Sequence, residues 1–173
     1  MTLTQLNDKS RLQEIYDLRV TAYENSPKSI YVNRQVFPNG WFDHLDQLDE
    51  TIHWIVEQEN KIIGAARLAV LHNLKETNED FEKFDLPPDR PFAYWSRLVV
   101  HPSFRGTTAM RELDQVRVKY IQENPQIKFA VSCVTEDRKS CLLRLGFSYL
   151  GDFMFNWEGK AEQKIGAFIL LNK

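Results

Sequence analysis

Val-Val-His-Pro-Ser-Phe-Arg-Gly-Thr-Thr-Ala, residues 99–109, is the stretch on which the fold turns. Ahead of it, Phe92 to Val100 is β-branched and aromatic, as a strand should be, and stops at His101-Pro102, where a proline cannot continue a central ladder. Behind it, Met110, Leu113, Val116, Tyr120 and Ile121 fall on one helical face until Asn124-Pro125 ends the pattern. A strand, a tight turn and a helix therefore follow one another. A helix N-terminus reached this way presents unpaired N–H groups and the positive end of the helix dipole, which suits phosphate. Small residues at Gly106, Thr107 and Thr108 let an anion approach the backbone, and Arg105 adds charge. The plain alternative is an ordinary turn with Thr107 or Thr108 as helix cap.

On the N-terminal side, Ser10 and Gln13 have capping-box spacing and Leu12, Ile15, Leu18 and Ala22 recur helically, which predicts a helix over Arg11 to Tyr23 that ends in Asn25-Ser26-Pro27. Tyr31 to Leu48 is aromatic-rich and broken by Pro38-Asn39-Gly40, so it reads as an irregular segment of the kind that lines sites. Trp54 to Glu57 and Lys61 to Val70, joined by Gln58-Glu59-Asn60, read as an antiparallel hairpin, followed by a charged loop from His72 to Pro91. C-terminal to the central unit come a strand from Lys128 to Val134, a helix from Asp137 to Leu145 stopped by Gly146, and apolar runs at Tyr149 to Trp157 and Ile165 to Leu171. Strands interleaved with helices, without a repeat or linker, predict one α+β domain over residues 1–173, with a mixed sheet and helices on its faces.

The chain has 173 residues, enough to bury a core without disulfides or a structural metal, and its 43% hydrophobic and 27% charged residues are evenly distributed. A net charge of -2 gives no overall attraction for nucleic acid. Neither a signal-peptide pattern nor an apolar run near the roughly 18 residues of a membrane span is present, which predicts a cytoplasmic protein without membrane partners. Cys133 and Cys141 lack zinc-ligand spacing and the four histidines are scattered singly, so no metal is expected.

Three features, in order, resemble the GNAT superfamily of acyl-CoA-dependent N-acyltransferases. A helix precedes a hairpin around Ile62-Ile63-Gly64-Ala65-Ala66; Leu98 to Ala109 is similar to the family's strand and pyrophosphate loop, Arg/Gln-x-x-Gly-x-Gly/Ala; and Leu143-Arg144-Leu145-Gly146-Phe147 is similar to its closing leucine-glycine-phenylalanine signature. The resemblance implies a mostly antiparallel sheet, with the backbone of Leu98, Val99 and Val100 pairing with the pantetheine arm of acetyl-CoA and amides of Arg105, Gly106, Thr107, Thr108, Ala109 and Met110 holding its pyrophosphate. Thr108 and Met110 stand where the family has glycine or alanine. The family's strand glutamate, which deprotonates the amine, is replaced by Tyr94, a poor base with a pKa near ~10. Its tyrosine before the terminal glycine is replaced by Leu142. Tyr94, Ser96 and Tyr149, with Cys141 behind them, are the candidates left for proton transfer, and water could also carry the proton.

A second resemblance, over Ile15 to Arg97, is to the acyl-homoserine-lactone synthase and N-acyl amino acid synthase branch. It rests on Leu18-Arg19 with Tyr23, Gly40-Trp41, Asp46 with Asp49, Gly64-Ala65-Ala66-Arg67-Leu68 and Ser96-Arg97. Arg19, Arg67 and Arg97, with Trp41 beside them, could bind an acceptor carboxylate, or be paired with Asp43, Asp46 and Asp49. The GNAT resemblance, through the strand-loop-helix unit and the Gly146-Phe147 signature, implies acetyl transfer from acetyl-CoA to a primary amine of a small-molecule or amino-acid-like acceptor by direct attack in a ternary complex. The alternatives are transfer of a longer acyl chain, and a catalytically inactive acyl-CoA-binding or interaction domain; a homodimer is one assembly open to it.

Overall fold

The computed structural model describes residues 1–24, 26–156 and 162–172. In order, the elements are β1 (Thr2–Gln5), α1 (Leu12–Glu24), β2 (Thr51–Gln58), β3 (Lys61–Leu71), β4 (Phe92–Val100), α2 (Ala109–Glu123), β5 (Phe129–Val134), α3 (Glu136–Arg144), β6 (Ser148–Asn156) and β7 (Glu162–Leu171). The strands form one mostly antiparallel open sheet in the order β1-β2-β3-β4-β5-β7-β6, accompanied among the described residues by three α-helices, which is the α+β architecture expected of a GNAT-like chain. Asn25 and Trp157, which bounded a predicted loop and strand, lie outside the described residues.

Local chemistry explains most element ends. The turn from β2 to β3 is Glu59-Asn60, with φ of 52° and 61°, the left-handed pair that a two-residue type I′ hairpin demands. Helix α1 does not start from a Ser10/Gln13 capping box. Asp8 instead accepts from the Ser10 amide to cap a 3₁₀ turn at Lys9–Arg11, while the Gln13 side chain donates to the Asn39 carbonyl at 3.0 Å. In α2 the buried residues are Ala109, Leu113, Asp114, Arg117 and Ile121, and Met110, expected on the inner face, is 36% exposed. Two buried polar side chains on that stripe displaced the apolar face that spacing alone implied.

The chain divides into two compact units, Met1–Arg67 with Arg97–Val116, and Leu68–Ser96 with Arg117–Lys173. In the first, α1 lays Leu12, Ile15, Tyr16, Leu18 and Ala22 against Ile55, Ile62, Ala65 and Val99. Gly64 lies close against α2: a Cβ there would meet a Leu113 methyl at 3.2 Å, with Val100 and Val56 at 3.6 Å. In the second unit Phe92 and Phe129 stack at 5.3 Å under the Arg90 guanidinium, and the parallel β4–β5 ladder runs from Ala93↔Ala130 to Trp95↔Ser132. Arg97, which belongs to the first unit, has φ of 56°, an uncommon conformation for a residue with a side chain.

Candidate active site

The loop between β4 and α2 is built by a capped turn and one glycine. His101 caps a 3₁₀ turn at Pro102–Phe104, the Phe104 carbonyl accepts from both the amide and the hydroxyl of Thr107, and Gly106 takes φ of 83°. A Cβ at Gly106 would meet no atom within 4 Å, so glycine is required there by the dihedral, not by space. Among the described hydrogen bonds the Gly106 and Thr108 amides donate to no protein acceptor, and Gly106, Thr107 and Thr108 are all exposed. The Thr107 hydroxyl also receives the Ala109 amide at 3.4 Å, whereas the Thr108 hydroxyl is turned along the helix onto Glu112. Arg105 is exposed but donates to the Ala22 carbonyl near the end of α1, so its guanidinium is tied beside the loop. The open space beside Gly106 and the unengaged amides suit a phosphate-bearing ligand, and the exposed Met110 leaves that mouth uncovered. Upstream, Leu98 to Val100 lie beyond the last β4–β5 rung, and the strand's exit is held by the His101 amide donating to the Ile63 carbonyl at 2.8 Å.

The segment between α1 and β2 is fastened by charge. Asp43 caps a 3₁₀ turn at His44–Gln47 and Asp46, three residues on, completes the box by accepting from the Asp43 amide. From this turn the two carboxylates meet three arginines. Arg19 on α1 forks onto Asp46, with both bonds at 2.8 Å, and gives a third bond to the Trp41 carbonyl. Arg67 on β3 forks onto Asp43 and lies 2.9 Å from Asp46. Arg97 reaches Asp43 at 2.7 Å while stacking over the Trp41 ring at 4.0 Å. Arg19 and Arg67 have no exposure, whereas Arg97, Trp41 and Asp43 keep some. Burial pushes the Asp43 carboxyl up, but Arg67 and Arg97 push it down further, leaving it well below the usual range; Asp46 is likewise brought to about 2 by Arg19. Asp49, expected in this cluster, is at the surface, paired with Lys9. The sequence offers Asp43, Asp46 and Asp49 at equal spacing, and the cap at Asp43 selects the first pair. Gly40 lets the segment touch α1: a Cβ there would sit 2.5 Å from that of Tyr16, and the Trp41 amide donates to the Tyr16 carbonyl.

The candidate proton-transfer residues stand in different surroundings. Tyr149 is exposed on β6, its ring tilted against that of Phe168 at 5.4 Å, and its phenol pKa is raised by its hydrogen bond to Asp152, which makes it a weaker acid. Ser96 is half-buried and its carbonyl accepts from Arg117, whose guanidinium covers the Trp95 ring at 3.7 Å. Tyr94 is 2% exposed, edge-on to Phe81, and its hydroxyl donates to Glu79. Sequence reasoning did not single out Glu79, which lies in a loop with no periodicity. Cys133 is held as a neutral thiol by burial and by the adjacent Glu79 carboxylate. Among the described residues no group of three or more His, Cys, Asp or Glu could hold a metal, and no helix is long and apolar enough to cross a membrane.

Solved structures share this architecture at low sequence identity. A CoA-dependent acyl-homoserine lactone synthase, BjaI, solved with SAM and isopentyl-CoA, superposes with a TM-score of 0.74 at 14% identity, over 99% of this chain and 83% of that one. FeeM, an N-acyl amino acid synthase from uncultured soil microbes, gives 0.68 at 11% over 98% and 89%. The ribosomal-protein-S18-alanine N-acetyltransferase of Escherichia coli gives 0.65 at 13% over 99% and 94%. No curated protein matches the chain. These likenesses carry the fold alone, but residues 12–147, from the first turn of α1 to the residue after the Gly146 turn, match the family model described as acetyltransferase (GNAT) family, and the chain belongs to that family.

Proposed function

We propose that this acyltransferase carries an acetyl group from acetyl-CoA to a primary amine on a small or amino-acid-like acceptor, by direct attack within a ternary complex. The observation that carries this reading is the β4–Gly106–α2 unit: a strand end past its last β5 rung, then a positive-φ glycine in an exposed turn whose Gly106 and Thr108 amides have no protein acceptor among the described hydrogen bonds. Leu98 to Val100 would pair with the pantetheine amides as an added strand does, and the amides from Arg105 to Met110 would receive the pyrophosphate, with Arg105 beside them. The thioester supplies the activated acyl carbon.

The acceptor side is read from the charged cluster. Among the described ion pairs, three guanidinium groups converge on two carboxylates. Arg97, Trp41 and Asp43 keep some surface, and of these Arg97 is the cation, so an acceptor carboxylate would engage Arg97 beside the indole, with Arg19 and Arg67 fully buried in the cluster. A longer acyl donor is the second reading, supported by the likeness to the lactone and N-acyl amino acid synthase structures and by this same Arg/Asp cluster.

The test is the thermal shift with CoA, acetyl-CoA and octanoyl-CoA, followed by CoA release over a panel of amines and amino acids. Saturation near 100-fold should stabilise by about 2.7 kcal/mol. Turnover confined to acetyl-CoA supports the first reading, and turnover confined to the octanoyl donor supports the second. Binding without CoA release for any acceptor would leave an inactive binding domain, and no shift with any donor would remove the reading.

A further inference from the structure

Five of the described 3₁₀ turns begin in the same way, with a side chain accepting a hydrogen bond from the amide two residues on. Four of them use oxygen: Asp8 accepts from Ser10 at 2.9 Å, Ser26 from Lys28 at 3.2 Å, Asp43 from Leu45 at 3.0 Å and Asn73 from Lys75 at 3.0 Å. The fifth, where β4 runs into the loop before α2, uses nitrogen, and the Ser103 amide donates to His101 Nδ1 at 3.2 Å. Histidine is not among the residues that usually fill this position. The bond also fixes the tautomer, because an accepting Nδ1 leaves the ring proton on Nε2.

His101 stands at the head of a relay that ends in the first residue of α2. Its own amide donates to the Ile63 carbonyl at 2.8 Å, its carbonyl accepts from the Phe104 amide at 2.9 Å, and its ring lies edge-on to that of Phe104 at 5.9 Å. The turn closed in this way presents the Phe104 carbonyl to the amide and hydroxyl of Thr107, and the Thr107 hydroxyl receives the Ala109 amide. Between these fixed points lie Gly106 and Thr108, whose amides have no protein acceptor among the described hydrogen bonds. Every member of the relay belongs to the first compact unit. The described contacts of the ring are the Ser103 amide and Phe104, with no charged side chain among them.

We propose that His101 is a positioning residue of the acyl-CoA site: through Nδ1 and the Pro102–Phe104 turn it holds the Gly106 and Thr108 amides for the pyrophosphate, and a proton on Nδ1 weakens donor binding. The inference rests on the acyl-CoA reading above. A protonated imidazole has no lone pair left on Nδ1 and sets a second N–H against that of Ser103, so the cap opens. The same proton brings a positive charge that attracts the anion, which opposes the loss of the cap. That attraction acts between exposed groups and is screened at about 0.5 M salt, whereas the cap is a local bond that salt leaves in place.

The experiment measures the Kd of dephospho-CoA for wild type, His101→Asn and His101→Leu, at about 0.5 M NaCl and at about pH 7.5 and 5.5. Dephospho-CoA keeps the pyrophosphate and lacks the terminal phosphate, whose second ionisation near pH ~6 falls in the same window. His101→Leu, which has no acceptor, should weaken binding by about 2- to 30-fold at both pH values, the usual worth of a cap. His101→Asn, whose side-chain oxygen accepts and does not titrate, should rescue binding at both. Wild type should match the asparagine variant at the higher pH and approach the leucine variant at the lower. Parallel pH responses of wild type and His101→Asn, an asparagine variant as weak as the leucine one, or a leucine variant that binds like wild type at the higher pH would each overturn the assignment. If His101→Leu does not fold, the comparison of wild type with His101→Asn across the two pH values decides alone. A wild type that binds neither dephospho-CoA nor acetyl-CoA at the higher pH removes the acyl-CoA reading itself, and this inference with it.

Discussion

Replacing His53 with Gln should flatten the acid side of the stability profile. His53 lies on β2, 5% exposed; its Nε2 is 3.3 Å from the Asp46 carbonyl and its Nδ1 has no hydrogen-bond partner. With Nε2–H donating to that carbonyl, a second proton would have to go on Nδ1, with no acceptor and with Arg19 and Arg67 close by. Burial, and then Arg19, lower the folded pKa from the ordinary 6.5 to about 4, against a smaller opposing pull from Asp46. Because the folded value lies below the unfolded one, the unfolded chain takes up a proton between pH 6.5 and about 4 that the folded chain refuses. Stability therefore falls as pH drops through that window, at up to roughly 1.4 kcal/mol per pH unit and by about 3 kcal/mol in total. Asp46 does not mask the effect: its contribution is fully present above 3.8 and is lost only as pH falls toward about 2. The assay is urea unfolding of wild type and His53→Gln across the window, since glutamine keeps a donor for the Asp46 carbonyl and does not titrate. The wild type should lose about 3 kcal/mol more than the variant between the two ends. Parallel pH profiles, or an imidazole titrating at its ordinary value by NMR, would refute the reasoning.

Asp46→Asn keeps the shape of the side chain but leaves Arg19 and Arg67 short of a buried counter-charge, and should cost about 3 to 5 kcal/mol in urea unfolding. An Asp49→Asn control, at a surface pair, should change stability by less than about 1 kcal/mol. Gly40→Ala combines a φ of 86° with a Cβ contact of 2.5 Å, so it should lower the urea midpoint by an amount equivalent to roughly 1 to 3 kcal/mol; an unchanged midpoint would mean that the segment does not rest on α1.

Legibility followed periodicity. Helix α1, the β2–β3 hairpin, the β4–turn–α2 unit and the C-terminal strands all carried a repeat of 3.6 or 2 or a turn signal, and they formed close to expectation, β2 and β7 each starting three residues earlier than their apolar runs. Strand β1 did not: Leu3 is its one apolar side chain, and its place comes from backbone pairing, Thr2↔Glu57 to Gln5↔Trp54, which leaves no pattern in the residues. At the site, the position of the loop glycine was readable from the sequence, and Arg19, Arg67 and Arg97 were singled out by the resemblance to the synthase branch, with pairing to the aspartates left as an alternative. The choice of Asp43 over Asp49 was not, because it follows from which aspartate caps a short 3₁₀ turn. The meeting of Glu79 with Tyr94 was hidden for a different reason: it depends on Phe81 finding an aromatic pocket, a tertiary event without a local signature.

The clasp of two aspartates and three arginines has a consequence for how such a chain can diversify. The segment from Tyr31 to Leu48 has no long helix or strand of its own, and its buried ionic ties to the rest of its unit run through Asp43 and Asp46, beside the Gly40-Trp41 backbone contact. Ionic forks between buried partners tolerate little change in themselves and ask almost nothing of the residues between them. Exposed side chains such as those of Gln35 and His44 can therefore be exchanged one by one without loosening the attachment. On the acceptor reading proposed above, selectivity can drift along this segment while five charged groups stay where they are.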